Sequence, residues 1–133
     1  MRVLVLDNDL PVAKAVQSIL MDHGHTADIA DNASFGVDLV ERGDYDFVLL
    51  DYRMPEKDGA WFMKNAKVPK GTKVLLTTAF VNRKVINEMF QLGAVGYIIK
   101  PFTEKELLKH LKFHAPAKFN VQSDDGTQGV STT

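Results

Sequence analysis

Three polar points, each placed directly after a short apolar run, are where this chain could do chemistry. Asp7-Asn8-Asp9 follows Val3-Leu4-Val5-Leu6, Asp51 follows Phe47-Val48-Leu49-Leu50, and Lys100 follows Gly96-Tyr97-Ile98-Ile99. Apolar runs without polar alternation read as parallel strands covered on both faces. A side chain that follows such a strand emerges at the carboxyl edge of the sheet, where ligands of open α/β sheets bind. Carboxylates crowded there resist ionising together unless a cation joins them. Asp7, Asn8 and Asp51 therefore favour a hard cation with oxygen ligands, and Mg²⁺ bridges carboxylates to phosphate oxygens while keeping several waters. This combination suits Mg²⁺-assisted transfer of a phosphoryl group onto a carboxylate. Asp51 follows the most apolar run and is the best nucleophile. Lys100 could pair with it in an empty site and with a phosphoryl oxygen in a loaded one, and Thr77 or Thr78 could donate a hydroxyl to another oxygen.

These points need a scaffold of alternating strands and helices, and the chain supplies one. Strands are predicted over Arg2–Leu6, His25–Ala30, Phe47–Leu50, Lys73–Thr77 and Ala94–Ile99. Between them lie helices over Pro11–His23, Asn32 or Ala33 to Arg42, Glu56–Ala66 and Asn82–Leu92. A last helix runs from a Thr103 cap to about His114, with Glu106 placed to complete a capping box. In the first helix Val12, Ala15, Val16, Ile19 and Leu20 recur at helical spacing, Asp9 is the N-cap and Pro11 fits the first turn. Gly24, Gly43 and Gly93 stop three of the helices. Five strands alternating with five helices imply right-handed crossovers and a three-layer α/β sandwich. From Pro116 to Thr133 apolar periodicity is lost, and the segment reads as a disordered tail or truncated linker after a domain spanning 1–115.

Composition narrows the function classes. A chain of 133 residues holds one domain with a real core. A net charge of -1 gives no reason to expect direct nucleic-acid contact or an anionic membrane partner. No cysteine is present, which excludes disulfides and thiolate chemistry. No apolar stretch approaches the ~20 residues that span a bilayer, and no signal peptide is visible. The expectation is a cytoplasmic protein.

Taken one at a time, the polar points have bland explanations. A single Asp after a strand is usually a turn or helix cap, and a lone Lys before Pro is usually a solvated turn residue. All three on strands one, three and five form a much rarer conjunction. Asp7-Asn8, Asp51 with Met54-Pro55-x-x-Asp58-Gly59, Thr78-Ala79, and Tyr97-x-x-Lys100-Pro101-Phe102 resemble the receiver domain of two-component response regulators. The resemblance covers Met1 to about His114 and implies a doubly wound, flavodoxin-like five-stranded parallel sheet in the order 2-1-3-4-5.

It also implies roles for individual residues. Asp51 would be the phosphoacceptor, taking its phosphoryl group from a sensor histidine kinase or a small phosphodonor. Asp7, Asn8, Asp51 and the backbone carbonyl of Arg53 would hold Mg²⁺. Thr78, which Ala79 follows, would be the switch hydroxyl, Lys100 the phosphate-pairing lysine, Pro101 a cis-proline and Tyr97 the aromatic rotamer switch. Partners would be the kinase and a downstream effector or a C-terminal output domain, with a homodimer forming on phosphorylation. Asn8 departs from the family, which has an acid there, so Mg²⁺ should bind more weakly. Arg53 and Phe80 lie two residues past Asp51 and Thr78, where the family tunes water access, and their bulk implies a slowly hydrolysed phosphoryl group.

Two rival readings exist. Asp7-x-Asp9 after a strand also resembles the motif of haloacid-dehalogenase-type phosphatases, with Asp7 as nucleophile and Asp9 as general acid/base. That family needs a later acidic motif after a strand, and Asp124-Asp125 lies in the polar segment instead. A flavin module would need a hydroxyl- and glycine-rich loop where Asn8-Asp9-Leu10-Pro11 stands. Elsewhere, Trp61 reads as partly buried core, and His110 and His114 as solvated surface without a third metal ligand.

Overall fold

Phe47, Val48, Leu49 and Leu50 are each at most 1% exposed, so the strand they form is covered on both faces. In a computed structural model, which describes residues 1–80 and 82–115, this run is β3 (Phe47–Asp51) at the centre of one sheet. The segment 116–133, read from sequence as a tail or linker, lies outside the described residues. Around β3 the chain alternates β1 (Arg2–Leu6), α1 (Leu10–Asp22), β2 (Thr26–Ala30), α2 (Ala33–Arg42), α3 (Gly59–Asn65), β4 (Lys73–Thr78), α4 (Arg83–Gln91), β5 (Gly96–Ile99) and α5 (Glu104–His114). The five strands lie in the order β2-β1-β3-β4-β5, and each neighbouring pair is parallel. The expected α/β doubly wound sandwich is the observed fold.

The period-two alternation of strand side chains divides the core into two halves. Leu4, Leu6, Val48, Leu50 and Leu76 pack with Val40 of α2, Phe62 of α3 and Met89 of α4. Val3, Val5, Phe47, Leu49, Leu75 and Ile98 pack with Val16 and Leu20 of α1 and Leu107 and Leu111 of α5. Burying each of these large side chains contributes ~1.5–3 kcal/mol. The register pairs Leu6 with Leu50 and Asp51 with Thr77, so β1, β3 and β4 end at the same edge.

Local chemistry sets the element ends. Asp9 accepts the Val12 N–H at 3.2 Å as N-cap of α1. Thr103 and Glu106 form the expected reciprocal capping box, with bonds of 3.0 and 2.8 Å. Gly24 and Gly93, at φ +81 and +117, take the left-handed turns that end α1 and α4. Gly43 also follows a helix, but its φ is -86, so conformational freedom is not its role there.

Several boundaries differ from the sequence reading, most of them by a single residue. Helix α3 begins at Gly59 rather than Glu56, because the Asp58 carboxylate accepts the Trp61 N–H at 2.9 Å and fixes the start. Glu56 has φ 68, incompatible with a helix. Strand β5 begins at Gly96 rather than Ala94, and β2 at Thr26 rather than His25.

Candidate phosphoacceptor site

The common edge of β1, β3 and β4 brings the predicted residues together. Asp7 and Asp51 are 3% and 8% exposed. Lys100 follows β5, and its ammonium crosses to both carboxylates, 2.5 Å from Asp7 Oδ2 and 3.6 Å from Asp51 Oδ2. The sequence reading paired Lys100 with Asp51 in an empty site; the tighter partner is Asp7. Asp7 is fixed on its other side, where Oδ1 accepts the Asp9 N–H at 2.9 Å. The Lys100-Pro101 peptide is cis, as the resemblance implied.

Burial pushes the Asp51 carboxyl up to about 6 from its ordinary 3.8. The Lys100 ammonium opposes that rise, the Asp7 charge adds to it, and hydrogen bonds from Lys100 and the Arg53 backbone oppose it. The Asp51 carboxylate is thus more basic than a solvated aspartate, while still mostly ionised at neutral pH.

Two carboxylates share one ammonium here, so one negative charge is left over for a further cation. Among the described residues no group of three or more His, Cys, Asp or Glu side chains is arranged to hold a metal ion. A divalent ion would therefore rely on the two acids, the Asn8 amide oxygen, a main-chain oxygen and water, which is a water-rich, Mg²⁺-type set. Asn8 is exposed beside buried Asp7. Asp9 is also exposed, and its carboxylate is used in capping α1.

Thr77 is the register partner of Asp51, and Thr78 is the next residue and 1% exposed. The Thr78 hydroxyl oxygen accepts the Phe80 N–H at 2.9 Å, and the hydroxyl lies 3.4 Å from the Phe80 carbonyl. Tyr97 is 38% exposed on β5 and meets Phe90 edge-on, with centroids 6.2 Å apart.

One cluster escaped the sequence reading. The Arg53 guanidinium carbon lies 3.9 Å from the centre of the Phe80 ring, and Tyr52 stacks on the same ring at 6.2 Å. Sequence placed Arg53 and Phe80 near the site but not in contact. The available signal was their equal offset beyond Asp51 and Thr78, which end neighbouring strands. Trp61, half-buried, carries the Lys57 ammonium 4.5 Å above its ring. His110 and His114 stack at 6.3 Å on α5.

With this geometry in view, residues 3–112 match the response regulator receiver domain family. The chain belongs to that family. Chemotaxis protein CheY-3 of Vibrio cholerae is 34% identical over 115 residues, covering 84% of this chain and 88% of that one. Transcriptional regulatory protein DltR of Streptococcus agalactiae is 33% identical over 113 residues, covering 84% of this chain; the chain spans 50% of DltR. Among solved structures, a CheY-like response regulator receiver domain protein from Methanospirillum hungatei superposes with a TM-score of 0.81 at 26% identity. That match covers 94% of this chain and 98% of the other. The phosphatase alternative gains no support from these relatives, and the capping role of Asp9 leaves it poorly placed as a general acid. No helix among the described residues is long and apolar enough to cross a membrane.

Proposed function

We propose that this receiver domain, residues 1–115, is a phosphorylation-controlled switch with Asp51 as its phosphoacceptor. One observation carries the proposal: the Asp51 carboxylate sits nearly buried at the end of the central strand, 3.6 Å from the Lys100 ammonium. An oxygen of Asp51 attacks the phosphorus of a phosphohistidine on a sensor kinase, or of a small phosphodonor. The P–N bond breaks, its electron pair stays on the imidazole, and an aspartyl phosphate remains. Asp7, Asn8, Asp51 and the Arg53 carbonyl would hold Mg²⁺, which would supply positive charge against the phosphoryl oxygens.

The new phosphoryl charge then draws on its neighbours. The Lys100 ammonium moves from Asp7 toward a phosphoryl oxygen. Thr78 turns its hydroxyl proton from the Phe80 carbonyl to another. Phe80, whose N–H is bound to the Thr78 hydroxyl, follows Thr78, and Tyr97 leaves its exposed position to pack inward. The surface of α4, β5 and α5 thereby changes its partner preference. Partners are a sensor histidine kinase and a downstream effector, a C-terminal output domain or a second copy of the chain, all in the cytoplasm. The protein works as a switch rather than a turnover enzyme.

The test is intact mass after acetyl phosphate, with and without Mg²⁺, on the wild-type and Asp51→Asn proteins. A single phosphoryl adduct that requires both Mg²⁺ and Asp51 is the expected result. An adduct of the same yield on the Asp51→Asn protein would overturn the assignment.

A further inference from the structure

We infer that Phe80 and the Arg53 side chain are positioning residues that hold the Thr78 hydroxyl away from the acceptor, and so set the equilibrium affinity for a phosphoryl group. This rests on the reading of Asp51 as phosphoacceptor and goes beyond it. The Arg53 backbone carbonyl has a proposed role at the metal; its side chain has so far had only a shielding role, read from its bulk, that would leave the equilibrium unchanged.

The chain of contacts is short. Thr78 Oγ1 accepts the Phe80 N–H at 2.9 Å, so the backbone of residue 80 is tied to that hydroxyl. The hydroxyl proton faces the Phe80 carbonyl at 3.4 Å. A phosphoryl oxygen on Asp51 accepts hydrogen bonds only, so Thr78 must give it that one proton and release the carbonyl. As Thr78 turns, the backbone tied to its oxygen must turn with it. The ring of Phe80 resists this motion, because Arg53 lies over it at 3.9 Å and Tyr52 stacks on it at 6.2 Å. Tyr52 and Arg53 belong to the segment directly after Asp51, so the ring joins the β3 and β4 ends across the site. Breaking that contact is a cost the phosphoryl group must overcome, and affinity falls by the fraction of molecules already released.

This differs from simple obstruction. A group that only blocks access slows arrival and departure of a phosphoryl group equally and leaves the equilibrium unchanged. A group that opposes the Thr78 rotation weakens the equilibrium itself.

Fluoroberyllate, formed from beryllium chloride and fluoride, mimics a phosphoryl group on a carboxylate without covalent transfer and so reads equilibrium affinity. Binding would be titrated by Trp61 fluorescence at fixed Mg²⁺ on five proteins: wild type, Phe80→Leu, Phe80→Tyr, Arg53→Gln and the Phe80→Leu/Arg53→Gln double variant. Phe80→Leu keeps an apolar side chain and the charge of the site, and should bind roughly 3- to 10-fold tighter, the scale of one cation–π contact with one aromatic stack. Phe80→Tyr, which keeps the ring, should bind like wild type. Arg53→Gln also removes a positive charge near the anion, so it is read through the double variant: the two changes should be non-additive. Unchanged or weaker affinity in Phe80→Leu, or additivity of the pair, overturns the inference while leaving the phosphoacceptor reading intact. Failure of wild type itself to bind fluoroberyllate overturns both.

Discussion

Replacing the proposed acceptor should stabilise the fold, because Asp51 is held in a place that disfavours its charge. Its carboxyl is pushed from 3.8 to about 6 by burial, with the Asp7 charge adding to the effect. Between those two values the folded chain keeps a proton that the unfolded chain has released. Stability therefore falls as pH rises through this window, and the loss is complete above about pH 7. The full gap corresponds to ~3 kcal/mol. The carboxylate keeps an 11% exposed edge at the mouth of the site, and solvent screening lowers the expected effect to ~1–2 kcal/mol. Asp51→Asn keeps the shape and an acceptor oxygen, removes the charge, and leaves Lys100 on Asp7. Urea unfolding followed by Trp61 fluorescence, in EDTA from pH 4 to 8, measures the difference. The variant should gain ~1–2 kcal/mol at pH 8, a urea midpoint rise of about 1 M for a slope of ~1–2 kcal/mol per M, and almost nothing at pH 4. Adding Mg²⁺ at about ten times its dissociation constant should return ~1.4 kcal/mol to wild type alone. A gain that stays flat across this pH range, or a variant less stable at pH 8, would refute the account of the strained carboxylate.

The remaining expectations concern the metal, the phosphoryl lifetime and one packing contact. Asn8→Asp restores a negative charge to the site and should tighten Mg²⁺ binding in a fluorescence titration, by about tenfold if the added charge contributes ~1.4 kcal/mol; unchanged affinity would remove Asn8 from the ligand set. The bulk of Arg53 and Phe80, packed together just past the ends of β3 and β4, should give the phosphorylated chain a dephosphorylation half-life of minutes or longer, and a half-life of seconds would contradict that shielding. Gly43→Ala should destabilise by ~2–3 kcal/mol in chemical denaturation, because the new Cβ would lie 2.7 Å from Tyr45 Cδ2 and 2.8 Å from the Leu39 carbonyl. The Tyr45 ring cannot easily give way, since its hydroxyl is bonded to Asp28 at 2.6 Å; a neutral substitution would show that it can.

The sheet was legible because its strands are extreme. Runs such as Phe47–Leu50 can be satisfied only by cover on both faces, and that requirement implies parallel strands with helices between them. The strand order came from the family resemblance, since alternation alone allows several. The helix caps at Asp9 and Thr103 were legible because they depend on residues a few positions apart. The start of α3 was not, because Glu56 and Lys57 are good helix formers and only the Asp58 carboxylate, by capturing the Trp61 N–H, excludes them. At the site, residue identities were readable but contacts between strand ends were not. Lys100 lies 93 positions from Asp7, and nothing local states that its ammonium rests closer to Asp7 than to Asp51.

That preference of Lys100 bears on why the switch should need a divalent ion to throw. One ammonium serves two nearly buried carboxylates, at 2.5 and 3.6 Å. If it moves to a phosphoryl oxygen on Asp51, Asp7 is left 3% exposed with, among the described residues, the Asp9 N–H as the remaining partner of its side chain. An unpaired buried carboxylate costs several kcal/mol, comparable to what the new phosphate contact contributes. A cation at Asp7 removes that cost, so Lys100 transfer and metal binding assist each other. The coupling has a direct consequence for Asp7→Asn. That variant should lose Mg²⁺ affinity, yet its Lys100, freed from a charged partner, should sit closer to Asp51 and lower the Asp51 carboxyl from its value near 6. Following the Asp51 carboxyl carbon by NMR across pH reads this directly. An unchanged or raised Asp51 titration in Asp7→Asn would mean that the two carboxylates do not compete for Lys100.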